Sequence, residues 1–140
     1  MKIVYSYYVL DLIHKGHLLM MKNSKAIAGK DGKLIVGILT DAAVLEKKPT
    51  PPVLSLDERI DIAQSIKYVD IAVPQETYSP IPNVKKIKPD VLMESASHSE
   101  KDIAKARKVV ESYGGRLIVM PYYPLQCSSN IKKKIKENHL

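Results

Sequence analysis

Short runs rich in Val, Ile and Leu alternate with stretches of helical periodicity along the 140 residues. Five runs read as strands: Ile3 to Tyr8, Leu34 to Leu39, Val69 to Val73, Val91 to Glu94 and Leu117 to Met120. Near-continuous apolar strands suit a parallel sheet covered on both faces. Helices are predicted after His17, from Leu56 to about Ile66, from about Ser99 to Ser112 and from Asn130 to Lys136. The weaker pattern from Pro80 to Lys88 predicts one short helix before Pro89. Strand–helix alternation of this kind predicts an α/β domain.

Local signals sharpen some boundaries. Ser55 followed by Glu58 forms a capping box, as does Ser97 with Glu100, with Ser99–Asp102 in competition. Tyr113-Gly114-Gly115 reads as a helix stop and a turn into the last strand. The stretch from Asp41 to Leu54 holds E-K-K-P-T-P-P, too proline-rich for a helix or central strand. As a loop directly after a strand end, it reads either as a basic cover for phosphates or as an ordinary connection.

Composition narrows the classes. The length predicts one domain with a core of its own, spanning residues 1–140. A single cysteine, Cys127, excludes an intramolecular disulfide and fits a reducing compartment. Lys2 is followed by only a short apolar run, and no run approaches a membrane span, so no secretory leader, no membrane and a cytoplasmic location are expected. The formal charge of +7 reads as a lysine-rich surface or as attraction for polyanionic substrates. Scattered lysines without Trp or Phe argue against nucleic acid.

The richest chemistry lies in Y-Y-V-L-D-L-I-H-K-G-H, Tyr7 to His17, where the first strand passes towards a helix. Ligands of α/β sheets bind at strand-to-helix junctions, and the free N–H groups of a helix start favour phosphate. Two imidazoles there suggest a phosphorylated or nucleotide substrate. Plain surface residues near a turn or a metal pair are the other readings, and for the metal pair His98 and His139 add no diagnostic zinc spacing.

These residues resemble the HxGH nucleotidyltransferase superfamily, in its small cytidylyltransferase-like branch. The motif is His14-Lys15-Gly16-His17, preceded by Asp11-Leu12-Ile13. The likeness runs in order through Gly37-Ile38-Leu39-Thr40-Asp41, Lys47-Lys48, Glu58-Arg59, Tyr68-Val69-Asp70, Lys88-Pro89-Asp90-Val91-Leu92 and Ser128-Ser129-Asn130-Ile131-Lys132. It implies a Rossmann-like single domain with a mostly parallel five-stranded sheet flanked by helices. It also implies transfer of a nucleoside monophosphate to a phosphorylated or phosphonylated small molecule with release of pyrophosphate. CMP transfer from CTP is the leading expectation. An ATP-dependent adenylyltransferase of the pantetheine-phosphate, heptose-phosphate or mononucleotide kind is the alternative, and a non-catalytic nucleotide-binding protein is the alternative from another class.

The resemblance assigns roles residue by residue. His14 and His17 donate to the triphosphate, Lys47 or Lys48 reaches over from the loop, and Arg59 offers a bidentate fork or, more plainly, a surface salt bridge. Tyr8, Asp11, Gly16, Ser128 and Ser129 are placed on the nucleotide side, the serines also being plain helix caps. The lysines beyond them read as a solvent face. Asp41, Glu94, Ser95 and His98 are expected in an acceptor or base pocket. Mg²⁺ is expected to arrive with the nucleoside triphosphate, with no dedicated protein metal site, and the protein is expected to be a homodimer.

Two segments depart from the family pattern. Pro121-Tyr122-Tyr123-Pro124-Leu125-Gln126-Cys127 replaces the arginine- and glycine-bearing lead into the last helix. Glu94-Ser95-Ala96-Ser97-His98-Ser99-Glu100 replaces the usual glycine–aspartate segment. Tyr7, Tyr8, Tyr78, Tyr122 and Tyr123 are ambiguous candidates for an aromatic cage around a cationic acceptor.

Overall fold

In the computed structural model, residues 1–121 and 128–137 are described, with side chains at 1–121 and 132–137. Five strands form one parallel sheet: β1 (Ile3–Tyr8), β2 (Lys33–Leu39), β3 (Ile71–Gln75), β4 (Val91–Ser95) and β5 (Arg116–Met120). The helices are α1 (Lys15–Ala28), α2 (Asp41–Leu45), α3 (Leu56–Gln64), α4 (Ile81–Ile87), α5 (Glu100–Glu111) and α6 (Ser128–Glu137). This is the expected Rossmann-like architecture.

Strand order is β3-β2-β1-β4-β5, so β1 is central and the chain changes direction of travel between β1 and β4. Where two crossovers leave neighbouring strands in opposite directions, a crevice opens at the carboxyl ends of those strands. Tyr5 pairs with Ile35 on one side and Leu92 on the other, which aligns the three central strands.

Alternation along β1 divides the core. Val4 packs with Met21 of α1, Ala63 of α3 and Val36, while Tyr5 packs with Val84 of α4 and with Ala106 and Val110 of α5. Ile103, Ala106 and Val110 recur at helical spacing, giving α5 one apolar face. Gly37, paired with Tyr7, leaves the room that the Tyr5 phenol fills, because a Cβ there would run into the hydroxyl. That phenol donates to Gln75 Oε1 at 2.5 Å and ties β1 to β3 across β2.

Several boundaries differ from the expectations. The first helix begins before His17, because His14 caps it and brings His17 into its first turn. A short helix, α2, precedes the prolines of 49–52, started by Thr40, whose hydroxyl accepts from Ala43 N at 3.1 Å. The third strand is shifted to Ile71–Gln75. Asp70 is fastened at its entry, accepting from Leu34 N at 2.8 Å and pairing with Lys25, and Pro74 is tolerated because β3 is an edge strand. Of the two competing caps, Ser99 starts α5, accepting from Asp102 N at 3.1 Å. Among the described residues no helix is long and apolar enough to cross a membrane.

Candidate active site

A cavity of about 710 Å³ opens over the ends of β1 and β4, at the switch point. One wall is the β1–α1 junction. Leu10 adopts φ +60°, a left-handed conformation that costs a leucine on the order of 1 kcal/mol. Its side chain is buried and secures the turn, which tucks Asp11 inward and delivers His14 to the helix start.

The two motif histidines cap α1 with their own rings. His14 Nδ1 accepts from Gly16 N at 3.0 Å, and His17 Nδ1 accepts from His14 N at 3.2 Å. Both Nδ1 atoms therefore carry lone pairs, and each neutral ring bears its proton on Nε2. The rings stack with centroids 3.9 Å apart, and Tyr8 sets its edge against His17 at 5.9 Å. Burial, with His14 close by, pushes the His17 pKa down to about 4, and burial lowers that of His14. At neutral pH the site presents two uncharged N–H donors beside the helix N-terminus, with Gly16 also lining the cavity.

Asp11 lines the cavity, yet its oxygens are taken up by the protein. They accept from Val53 N at 3.0 Å and Leu54 N at 2.9 Å, and from Lys132 of α6. Burial works to raise the Asp11 carboxyl, and the hydrogen bonds from Lys132, Leu54 and Val53 outweigh it, holding the pKa below its usual range. Lys132 also lines the cavity and is the exception among the α6 lysines, which otherwise form the expected solvent face. The side chains of Ser128 and Ser129 lie outside the described residues, as do Tyr122, Tyr123 and Cys127.

Arg59 is also corrected. It is fully buried (0% exposed) and donates to Val9 O at 2.9 Å, Leu39 O at 2.6 Å and Leu54 O at 3.1 Å. A fourth bond, 2.9 Å long, runs to Asp41, whose side chain is 52% exposed. Its guanidinium binds the ends of β1 and β2 to the start of α3 in place of the expected phosphate contact, and the alternative of an ion pair with Asp57 or another acid is met by Asp41, from a buried arginine instead of a surface one. Asp41 is thereby turned to Arg59, outside the cavity lining. Of the loop lysines, Lys48 lines the cavity with Pro49 to Pro52, while Lys47 lies 5.8 Å from the Tyr78 ring centre.

The opposite wall is built at the end of β4. Ser95 and His98 line the cavity, and Glu94 sits behind them, buried. His98 Nδ1 lies 3.2 Å from Glu94 Oε2 and 3.1 Å from the Tyr7 hydroxyl. Burial first, and Glu94 second, push the Tyr7 pKa far up, so the phenol keeps its proton. Sequence reasoning left Tyr7 ambiguous and missed Met20 and Asn23, which line the cavity three and six residues past His17. Helical spacing was the available signal for that pair. No group of three or more His, Cys, Asp or Glu that could hold a metal ion occurs among the described residues. Asp11 and Asp41 are already engaged by protein donors.

The chain is 33% identical over 129 residues to the bifunctional protein HldE of Paramagnetospirillum magneticum, covering 91% of this chain and 26% of that protein. It is 39% identical over 82 residues to the FAD synthase of Korarchaeum cryptofilum, covering 59% of this chain and 55% of that one. The chain thus spans about a quarter of the length of the bifunctional relatives and about half of the synthase. A lipopolysaccharide core biosynthesis protein from Thermoplasma volcanium shares the fold, with a TM-score of 0.72 at 21% identity over 90% of this chain and 99% of its own. The cytidylyltransferase-like family matches residues 9–135, and with the paired imidazoles capping α1 at the switch point, the chain belongs to that nucleotidyltransferase family.

Proposed function

We propose that this protein transfers an adenylyl group from ATP to the phosphate of a small-molecule acceptor and releases pyrophosphate. The observation that carries nucleotidyl transfer is the pair of Nε2–H donors that the cap hydrogen bonds create beside the α1 N-terminus. The likeness to a FAD synthase favours ATP over the CTP expected from sequence, because the product of such an enzyme contains an adenylyl group.

In the proposed reaction an acceptor phosphate oxygen attacks the α-phosphorus. The new P–O bond forms as the bond from the α-phosphorus to the bridging oxygen breaks, and pyrophosphate leaves. The nucleophile is already an anion, so no strong base is needed. The protein's task is to hold the anions together and stabilise charge on the transferring group and leaving pyrophosphate. His14 and His17 donate from Nε2, Gly16 lets the chain approach the helix start, and Lys48 and Lys132 supply positive charge from the loop and from α6. Mg²⁺ carried by the triphosphate would neutralise part of its charge. The described residues offer it no ligand cluster of their own.

Pyrophosphate release tests this reading, with ATP and CTP each offered alongside a panel of phosphate-bearing acceptors. Acceptor-dependent release from ATP, lost in His17→Ala, is the expected result. Release from CTP alone overturns the choice of nucleotide. Nucleotide binding without release for any pair favours the non-catalytic reading.

A further inference from the structure

His17 is held by three contacts, and one of them takes no part in the helix cap. Its Nδ1 accepts from His14 N, and the His14 ring stacks on it with centroids 3.9 Å apart. The final torsion of a histidine is broad, so one hydrogen bond fixes Nδ1 and leaves the ring able to tilt about it. The third contact is Tyr8, whose ring stands at 89° to the His17 ring with centroids 5.9 Å apart.

Tyr8 is built into the fold as a fixed wall. It ends β1 in register with Ile38 of β2, and its ring packs on the core group that contains Met21 and Val36. On α1, His17, Met21 and Ser24 recur at helical spacing, and Met21 and Ser24 are fully buried. The Tyr8 ring spans this stripe. His17 lies against it at the cavity, and the Tyr8 hydroxyl lies deeper, beside the hydroxyls of Ser6 and Ser24.

That hydroxyl does not serve the cavity. It is buried and makes no complete hydrogen bond, and the Ser24 hydroxyl donates to Met20 O at 2.7 Å. Burial pushes the Tyr8 pKa far up, against the neighbouring hydroxyls of Ser6 and Ser24, so the phenol keeps its proton. Removing an unpaired buried hydroxyl while keeping the shape is close to neutral for stability. The part of Tyr8 that reaches the site is its ring, which lines the cavity with His17.

Resting on the nucleotidyl-transfer reading above, we propose that Tyr8 is a positioning residue, whose ring fixes the plane of the His17 imidazole and keeps water from its buried side, so that Nε2–H is aimed before the triphosphate arrives. A donor fixed beforehand stabilises charge that develops in the transition state without having to reorganise. An imidazole that tilts leaves the other donors to bind the triphosphate and weakens the bond made in the transition state. The loss then falls on kcat more than on KM. Burial is the first cause of the low His17 pKa and His14 the second, so water admitted beside the ring raises it. The other titratable groups on the cavity are Tyr7, Asp11, His14, Lys48, His98 and Lys132, and they are common to every variant compared below.

The test compares wild type, Tyr8→Phe and Tyr8→Leu, each first shown to be folded by a thermal scan at pH 7. Imidazole resonances are followed by NMR from pH 7 to pH 5, with His17 assigned by the signal that His17→Asn removes. This readout needs neither nucleotide nor acceptor. His17 should stay neutral over that range in wild type and in Tyr8→Phe, and its midpoint should rise by about one pH unit in Tyr8→Leu. In the pyrophosphate-release assay with ATP, Tyr8→Leu should lower kcat about tenfold and change the KM for ATP by less than about twofold. Tyr8→Phe, which keeps the ring, should restore most of the lost kcat.

A His17 midpoint in Tyr8→Leu equal to that of wild type overturns the inference, as does a shift in Tyr8→Phe as large as in Tyr8→Leu. A rise in the KM for ATP with kcat kept makes Tyr8 a nucleotide contact and also overturns it. Absence of release from wild type with every acceptor counts against the reaction alone, and the titration still decides the inference. Should Tyr8→Leu not fold, Tyr8→Met takes its place with the same expectations. The contact itself is read in wild type, where absence of Overhauser effects between the Tyr8 and His17 rings overturns the inference.

Discussion

His17 Nδ1 lies 3.2 Å from the backbone nitrogen of His14 and completes a capping box in which both partners are imidazoles. A capping box more commonly pairs Ser or Thr with Glu. An acid at the third helical position would set a negative charge beside the expected phosphates. Histidine caps the helix through one nitrogen and leaves the other as a donor, so one side chain starts the helix and equips the site.

Asparagine at position 17 separates the two roles. Its amide oxygen can replace Nδ1 in the cap, and nothing replaces Nε2–H. His17→Asn should keep the wild-type melting temperature within a few degrees and lower kcat by ~10²–10³, the range for removing one transition-state donor. A kcat within threefold of wild type removes His17 from the chemistry.

The depressed histidine pKa sets a pH dependence of stability. A histidine at about 4 in the folded protein and 6.5 when free binds fewer protons folded than unfolded between those values. Stability then rises with pH across that window. Above pH 6.5 the contribution is complete, and it falls away as pH drops towards 4, by about 3 kcal/mol for His17. His14 acts in the same direction. Denaturant midpoints from pH 7 to pH 4.5 should fall less steeply in His17→Asn than in wild type, and parallel curves refute the assignment.

Arg59 is a brace. Lysine in its place reaches at most part of the set Val9, Leu39, Leu54 and Asp41. Arg59→Lys should cost roughly 2–4 kcal/mol, since buried carbonyl groups lose their donors. A melting temperature unchanged in a thermal scan contradicts the bracing role, while a stable variant that has lost ATP binding restores the phosphate contact.

Asp11 joins the proline-rich loop to α6, accepting from Val53 N, Leu54 N and Lys132. Asp11→Asn keeps the size and gives up the charge that draws all three donors. Protease cleavage within 47–54 should accelerate, and the KM for the nucleotide should rise about tenfold. Unaltered cleavage and KM show that the loop holds without Asp11.

Adjacent lysines should behave differently. Lys48 lines the cavity and Lys47 lies over Tyr78. Lys48→Ala should weaken nucleotide binding at low salt by about tenfold, and Lys47→Ala by under twofold. Equal effects from the two alanines dissolve the distinction.

The sheet and the β1–α1 junction were legible in the residue order because each depends on short-range pattern. Apolar runs marked five strands, and His14, Gly16 and His17 lie within one helical turn of each other. Periodicity and capping act over three or four residues, so a linear reading captures them. The start of α2 was missed because the prolines at 49, 51 and 52 dominated the composition of a segment whose first five residues form a helix.

The assignment of individual side chains was settled by packing. Asp11 and Lys132 are 121 positions apart, Arg59 and Asp41 are 18 apart, and nothing in their local sequence selects one another. Glu94 and His98 were legible as neighbours along the chain. That one is buried and the other lines the cavity follows from the continuous burial of β4 up to Glu94 and from the turn closed on Ser95, which carries His98 back over the strand end. The elements and the paired-histidine motif can be read from the residue order, since both are written in contiguous residues. The tertiary structure alone decided which charged groups brace the sheet ends and which face the cavity, because burial and pairing are properties of distance in space.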